Sequence, residues 1–254
     1  MKKAFGNFKS EKLKKFEPVE SIENLKCEQC KKTYTLHKFE SGYSYKDGCD
    51  CEMIEAAKAS QLKKEVQAAF SNSTYDESIK HATVNNYKPQ NESQKYAKDT
   101  AVEYVTNFSL DNPRTIIFQG SYGTGKSHLA FAITKALRDK GYKVAFMHIP
   151  DLMDRIKNTY NKASLQSTDE LIDELSNLDL LVLDDVGVED TQHTLGKLFS
   201  IVNKRQNLNN IYTTNLSKKQ LIKSQDWERI STRMNKNARR VKVLGEDWRE
   251  TDSW

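Results

Sequence analysis

The segment GSYGTGKS, residues 120–127, constrains this chain more than any other feature. It matches G-x4-G-K-[ST] in full and lies between the apolar run TIIF and the amphipathic run HLAFAITKAL. Its glycines let backbone N–H groups converge on phosphate oxygens without side chains in the way, and the helix that follows adds the positive end of its dipole. The motif predicts a buried strand, a phosphate-cradling loop and a helix opening at Lys126. Gly120, Ser121, Tyr122, Gly123, Thr124, Gly125, Lys126 and Ser127 are the expected nucleotide-binding residues. Lys126 is expected to reach the β- and γ-phosphates, and Ser127 to ligate magnesium.

Short apolar strands separated by helices surround this loop. TIIF (115–118), KVAFMH (143–148), DLLVLD (179–184), NIYTT (210–214) and RRVKVL (239–244) read as strands. Helices are expected near 126–138, 150–160, 168–177, 191–207 and 218–235, the third opened by a Ser167-x-x-Glu170 capping box. This alternation predicts an α/β fold with a five-stranded parallel sheet between helices. Ahead of it, Ala97, Ala101, Tyr104, Val105 and Phe108 form one stripe of an amphipathic helix. A further helix is expected over 51–70, with Leu62, Val66, Ala69 and Phe70 on its apolar side. Between these two helices the chain is polar and without a period, so residues 75–95 read as a linker joining an N-terminal domain (1–74) to the main domain (96–254).

LLVLDDVG places Asp184 and Asp185 directly after four apolar strand residues. Beside a phosphate loop, Asp184 is placed to join the magnesium shell and Asp185 to polarise water. One strand, KVAFMH, intervenes in sequence between the phosphate-loop strand and this one, as in the additional-strand nucleoside triphosphatases. IYTTN ends at Asn215, a polar residue placed to sense the γ-phosphate. The helix cap that Asn215 might otherwise supply is already provided by Ser217-x-x-Gln220. In WERISTRM, Arg229 and Arg233 share a helical face at i, i+4, far in sequence from the loop. Arginines so placed suit a neighbouring subunit's active site, where an arginine finger adds about 10³–10⁵ to phosphoryl-transfer rates.

All four cysteines fall within one short stretch, as Cys27-x2-Cys30 and Cys49-x-Cys51. Clustering of this kind, in a chain expected in a reducing cytoplasm, points to a structural four-thiolate zinc site rather than disulfides. The second pair is a tight bite, so His37, between the pairs, is an alternative ligand for one of its cysteines. Such a site lets a segment of this length fold without a large core. Residues 1–15 carry six lysines and one glutamate and read as a basic helical arm. With 30% charged residues and no apolar run long enough to span a bilayer, a membrane protein is excluded.

Together these motifs resemble the DnaC/DnaI branch of the AAA+ ATPases, the replicative helicase loaders, and at the ATPase level the IstB transposition helpers. GSYGTGKSHLA is similar to the family's phosphate loop with its trailing His-Leu-Ala, which brings in His128 as a nucleotide-site residue. LLVLDDVG, YTTNL and ERISTRM are similar to its acidic strand, its sensor 1 and its arginine-finger box. Arg233 takes the finger role there, with Arg229 second. LGEDWR resembles the closing element whose arginine, here Arg249, is sensor 2, and HATVNNY (81–87) resembles the approach to the nucleotide.

The resemblance implies an AAA+ core that binds ATP and magnesium, self-associates in the ATP state and loads a DnaB-type hexameric helicase onto single-stranded DNA. The N-terminal domain would contact the helicase. Asp185 stands where most AAA+ proteins carry glutamate, so slow turnover is expected. The CxxC and CxC pair resembles zinc-bearing loaders of Gram-positive bacteria and their phages, whereas IstB proteins generally lack it. An IstB-like helper acting with a transposase on duplex DNA is the alternative, and a helicase-blocking decoy that uses ATP only as a conformational ligand is a third reading. A DnaA-type initiator is not expected, because five residues after Arg249 leave no room for a duplex-binding domain.

Overall fold

The computed structural model describes residues 17–161, 166–188 and 192–248. The basic arm at 1–15 and Arg249 lie outside the described residues. The chain divides into two compact units, Met1–Leu62 and Lys63–Trp254.

The first unit holds an antiparallel sheet of β1 (Glu20–Lys26), β2 (Thr33–Lys38) and β3 (Ser44–Asp47), in that order. Ile22 and Leu36 pair across β1 and β2, and Leu36 faces Lys46 of β3. A break in register between Ile22 and Leu25 is accompanied by Asn24 at φ 58°. None of these strands buries a residue fully. Helix α1 (Cys51–Ser71) begins here, and the division falls within it. Val66 and Ala69 of α1 are buried in the second unit, whereas Leu62, assigned to the same stripe, is 47% exposed.

The second unit is a parallel sheet in the order β5-β6-β7-β4-β8, formed by Thr115–Gln119 (β4), Val144–His148 (β5), Leu180–Asp184 (β6), Asn209–Thr214 (β7) and Ala238–Lys242 (β8). All five expected strands are present. The strand lying in space between β4 and β6 is β7, while β5, which intervenes in sequence, takes the edge. Alternate residues serve two cores. Ile116, Phe118, Val182, Ile211 and Phe146 pack with Ala97, Ala101 and Tyr104 of α2 (Glu92–Thr106) and Leu129 and Ile133 of α3 (Lys126–Asp139). Ile117, Leu181, Leu183, Tyr212 and Met147 pack with Leu152 of α4 (Ile149–Asn158), Leu171 of α5 (Thr168–Ser176), Leu198 of α6 (Gln192–Lys204) and Trp227 and Ile230 of α8 (Gln225–Met234). Each Val, Leu, Ile, Phe or Met among them contributes roughly 1.5–3 kcal/mol on burial.

The helices expected over 218–235 are α7 (Lys218–Leu221) and α8, the second opening where Ser224 Oγ accepts from Trp227 N. The stretch 75–95, expected as a linker, is instead laid on the core. Tyr75 and Phe131 rings are 4.4 Å apart, Ala82 and Tyr87 are buried, and Lys98 donates to Tyr87 O at 2.7 Å. Just before it, Thr74 bridges Met147 and so covers the β5 edge. These contacts use isolated apolar residues without a repeat, which is why the stretch carries no periodic signal.

Candidate nucleotide-binding site

The loop after β4 is shaped by close approaches. A Cβ on Gly120 would come within 1.9 Å of Val243 O. Gly125, at φ 87°, ends the loop in the left-handed region, and a Cβ there would meet the Tyr87 ring at 2.3 Å. The Tyr87 hydroxyl donates to Thr124 O at 2.9 Å, and burial pushes its pKa to about 12, so it remains a neutral donor. Lys126 donates to Ser121 O at 2.5 Å, an ammonium held across the mouth of the loop. The Tyr122 side chain is 65% exposed, leaving its backbone as its contribution to the loop.

A cavity of about 1300 Å³ opens beside the loop, larger than ordinary small-ligand pockets of roughly 300–1,000 Å³. Gly123, Thr124, Gly125, Lys126, Ser127 and His128 line it together with Asp184 and Asp185. Tyr75, Ile79, Ala82 and Tyr87 give it an apolar wall, and Trp248 also lines it. Asn215 follows β7, between the starts of the phosphate loop and the acidic pair, and its Oδ1 is buried without a partner among the described residues. Arg229 and Arg233 are not among the described residues lining this cavity.

Asp184 is buried, and its carboxyl is pushed up to about 6 by burial and then by the neighbouring Asp185 charge, against hydrogen bonds from Thr213 and Ser127. Thr213 Oγ1 donates to Asp184 Oδ1 at 2.5 Å and accepts from Asp185 N at 2.9 Å. Asp185 itself has φ 58°, which turns its side chain off the strand line. A buried carboxylate beside a second one and a serine hydroxyl is a donor set for a hard divalent cation. The glycine cradle and the Ser127–Asp184 contact fit magnesium and a nucleoside triphosphate, whereas Asn215 is not among the described residues lining the cavity.

His148 has no sequence motif to announce it. It ends β5 in register with Asp184, and its Nε2 lies 3.7 Å from Asp185 Oδ2 while Nδ1 lies 3.2 Å from Asp151 Oδ2. Pairing with Asp185, opposed by partial burial and aided by Asp151, raises its pKa to about 9. His128 behaves oppositely: burial lowers its pKa, and Nε2 lies 3.0 Å from both Thr83 O and Asn86 Oδ1. It therefore ties the 83–86 turn to α3.

In the first unit, the ligand atoms of Cys27, Cys30, Cys49 and Cys51 lie within 4.8 Å of one another, with Cys30 and Cys49 Sγ 3.7 Å apart. Tetrahedral zinc with bonds of about 2.3 Å requires sulfur separations near 3.8 Å. The Cys30 backbone N–H, followed by the Cys49 thiol, lowers Cys27 to about 6, whereas the Cys30 and Cys49 thiols push Cys51 up to about 12. Deprotonated together, these four sulfurs could hold a metal ion. His37 is outside the cluster, its Nδ1 2.8 Å from Ser21 Oγ and its ring stacked on Tyr45. Its place in β2 fixes it on the sheet.

On α8, Arg229 and Arg233 both rest on the Phe199 ring of α6. Arg229 also has Asp226 at 3.8 Å. Among the described residues no helix is long and apolar enough to cross a membrane.

Comparison with known proteins agrees with this geometry. The replicative helicase loader DnaC of Escherichia coli strain K12 is 34% identical over 139 residues, 53% of this chain and 56% of that protein, so the chain spans a little over half the length of this relative. A crystal structure of the DnaC helicase loader superposes with a TM-score of 0.57 at 27% identity, covering 66% of this chain and 99% of that one. DnaI, at 22% identity and a TM-score of 0.58 over 69% of this chain and 94% of its own, shares the fold. The sheet is that of the AAA+ proteins. Residues 28–253 match the family model of the IstB-like ATP binding proteins, and the chain belongs to that family.

Proposed function

We propose that this protein is a magnesium-dependent ATPase that binds a DnaB-type replicative helicase and helps deposit it on single-stranded DNA. The observation that carries this reading is the joining of two features in one chain: a complete phosphate loop with its acidic pair, and a four-cysteine module ahead of it. The similarity to DnaC supports the choice of partner. ATP would lie with its phosphates in the Gly120–Ser127 loop and its base against the Tyr75, Ile79 and Tyr87 wall. Magnesium, held by Ser127 and Asp184, would neutralise charge on the β- and γ-phosphates.

Lys126 binds and orients the γ-phosphate. Asp185 accepts a hydrogen bond from the attacking water, and Asn215 Oδ1, without a partner among the described residues, would take the other side of that water. Asp185 is a short base already engaged by His148, which favours slow basal turnover. Arg233, and second to it Arg229, would act in a neighbouring subunit, so hydrolysis is coupled to self-association. Arg249 would take the in-subunit sensor role that the resemblance of LGEDWR implies. Zinc held by the four cysteines would keep the N-terminal helicase-contacting module folded, and the site of action is the cytoplasm.

The family match also favours a second reading, a transposition helper, because IstB-like proteins give the family its name. Size-exclusion co-elution of the full chain with a DnaB-type helicase, in ATP and magnesium, separates the two. A stoichiometric complex supports the loader. Absence of a complex at micromolar concentrations, with binding instead to a transposase and duplex DNA, would assign the helper role.

A further inference from the structure

We propose that Phe199 is a positioning residue for Arg233, its ring on α6 holding that guanidinium, beside the Asp226-paired Arg229, ready for a neighbouring subunit's nucleotide. This rests on the reading above, in which those arginines act in trans. The guanidinium carbons of Arg229 and Arg233 each lie 4.6 Å from the Phe199 ring centroid. Arg233 Nε donates to Asn203 Oδ1 at 2.8 Å, and one of its terminal nitrogens donates to Arg229 O at 3.1 Å. Phe199 and Asn203 are four residues apart on α6, as Arg229 and Arg233 are on α8, so one i, i+4 pair faces another across packed helices.

Two like charges at i, i+4 repel, and each arginine side chain is costly to order. A ring face shared by both offsets the repulsion and fixes the planes of the guanidiniums. Arg233's partners here are a ring, an amide oxygen and a backbone carbonyl. These orient the group without neutralising it, leaving its charge for a phosphate oxygen. A carboxylate in the same place would consume that charge. The half-buried Phe199 ring packs against the core, which makes the bracket rigid.

The test uses the full chain with ATP, magnesium and stimulating single-stranded DNA. Phe199→Leu, which keeps apolar volume but removes the ring, is expected to lower kcat about five- to tenfold while leaving the Kd of a fluorescent ATP analogue within about twofold. Phe199→Tyr should restore kcat. Asn203→Ala, at an exposed position that cannot disturb the core, should lower kcat about threefold and keeps the test available should Phe199→Leu fail to fold. In mixed assemblies, added Asp185→Asn subunits should still support hydrolysis at wild-type sites, whereas Asp185→Asn/Phe199→Leu subunits should poison it. If Arg233→Ala abolishes turnover while Phe199→Leu and Asn203→Ala leave kcat unchanged, the positioning role is overturned and the trans reading stands. If Arg233→Ala is itself harmless, the trans reading and this proposal fall together.

Discussion

His148 shows how carboxylates on neighbouring elements can set the state of one side chain. Pairing raises its pKa to about 9 from the ordinary 6.5, so the native protein holds the proton more tightly than the unfolded chain. The pair's contribution to stability is complete below about pH 6.5, declines above it and is lost as pH rises through about 9. In buffer without nucleotide or magnesium, His148→Gln should melt below wild type at about pH 6.5 and level with it near pH 10. A gap of the same size at both ends would mean that His148 contributes packing rather than charge. The loop and the two aspartates were legible in the sequence because each is a contiguous motif. His148 and Thr213 were not, since they reach Asp185 and Asp184 only through the pairing of β5 and β7 with β6. His128, which the resemblance brings in as a nucleotide-site residue, lines the cavity and is also engaged by Thr83 and Asn86, residues more than forty positions away.

Among the elements, the end of α5 depends on a residue from another helix's edge. Arg205, just after α6, is fully buried. It donates to the carbonyls of Leu175 (2.9 Å), Ser176 (3.1 Å), Leu178 (2.9 Å) and Asn209 (2.8 Å) and to Asn210 Oδ1 (2.8 Å). It thus satisfies the orphan carbonyls at the α5 C-terminus and joins them to β7. Burial lowers its pKa to about 10, which still leaves it charged at neutral pH. Arg205→Met should lower unfolding free energy by about 3 kcal/mol or more, read as a shift in urea midpoint. Arg205→Lys should recover little of this, because an ammonium cannot reproduce the planar fork. Strands β4, β5 and β6 were legible because each is a short apolar run closed by a polar residue. Strands β1 to β3 were not: ESIENLK and TYTLHK alternate weakly and bury nothing fully, so neither period nor hydropathy marks them.

At the scale of the whole molecule, two units meet different stability requirements. The second has a two-sided apolar core, whereas the first has half-buried strands and a thiol cluster. The purified protein should carry one zinc per chain, reduced in Cys30→Ser, and a chelator should remove one unfolding transition while leaving that of the ATPase unit in place. Loss of zinc without loss of any transition would assign the cysteines no structural role. The boundary expected near residue 75 falls after Leu62 because the tail of α1 and the stretch that follows pack on the sheet, a tertiary fact absent from local composition.

The central claim is that the acidic pair divides its work, Asp184 serving the cation and Asp185 the water. Steady-state ATP hydrolysis and ATP-analogue binding by Asp185→Asn test it most directly, with magnesium and single-stranded DNA present. Asp185→Asn should keep Kd within about twofold of wild type and reduce turnover at least about 10²-fold, the size of a lost general base. Wild-type turnover by Asp185→Asn would contradict it.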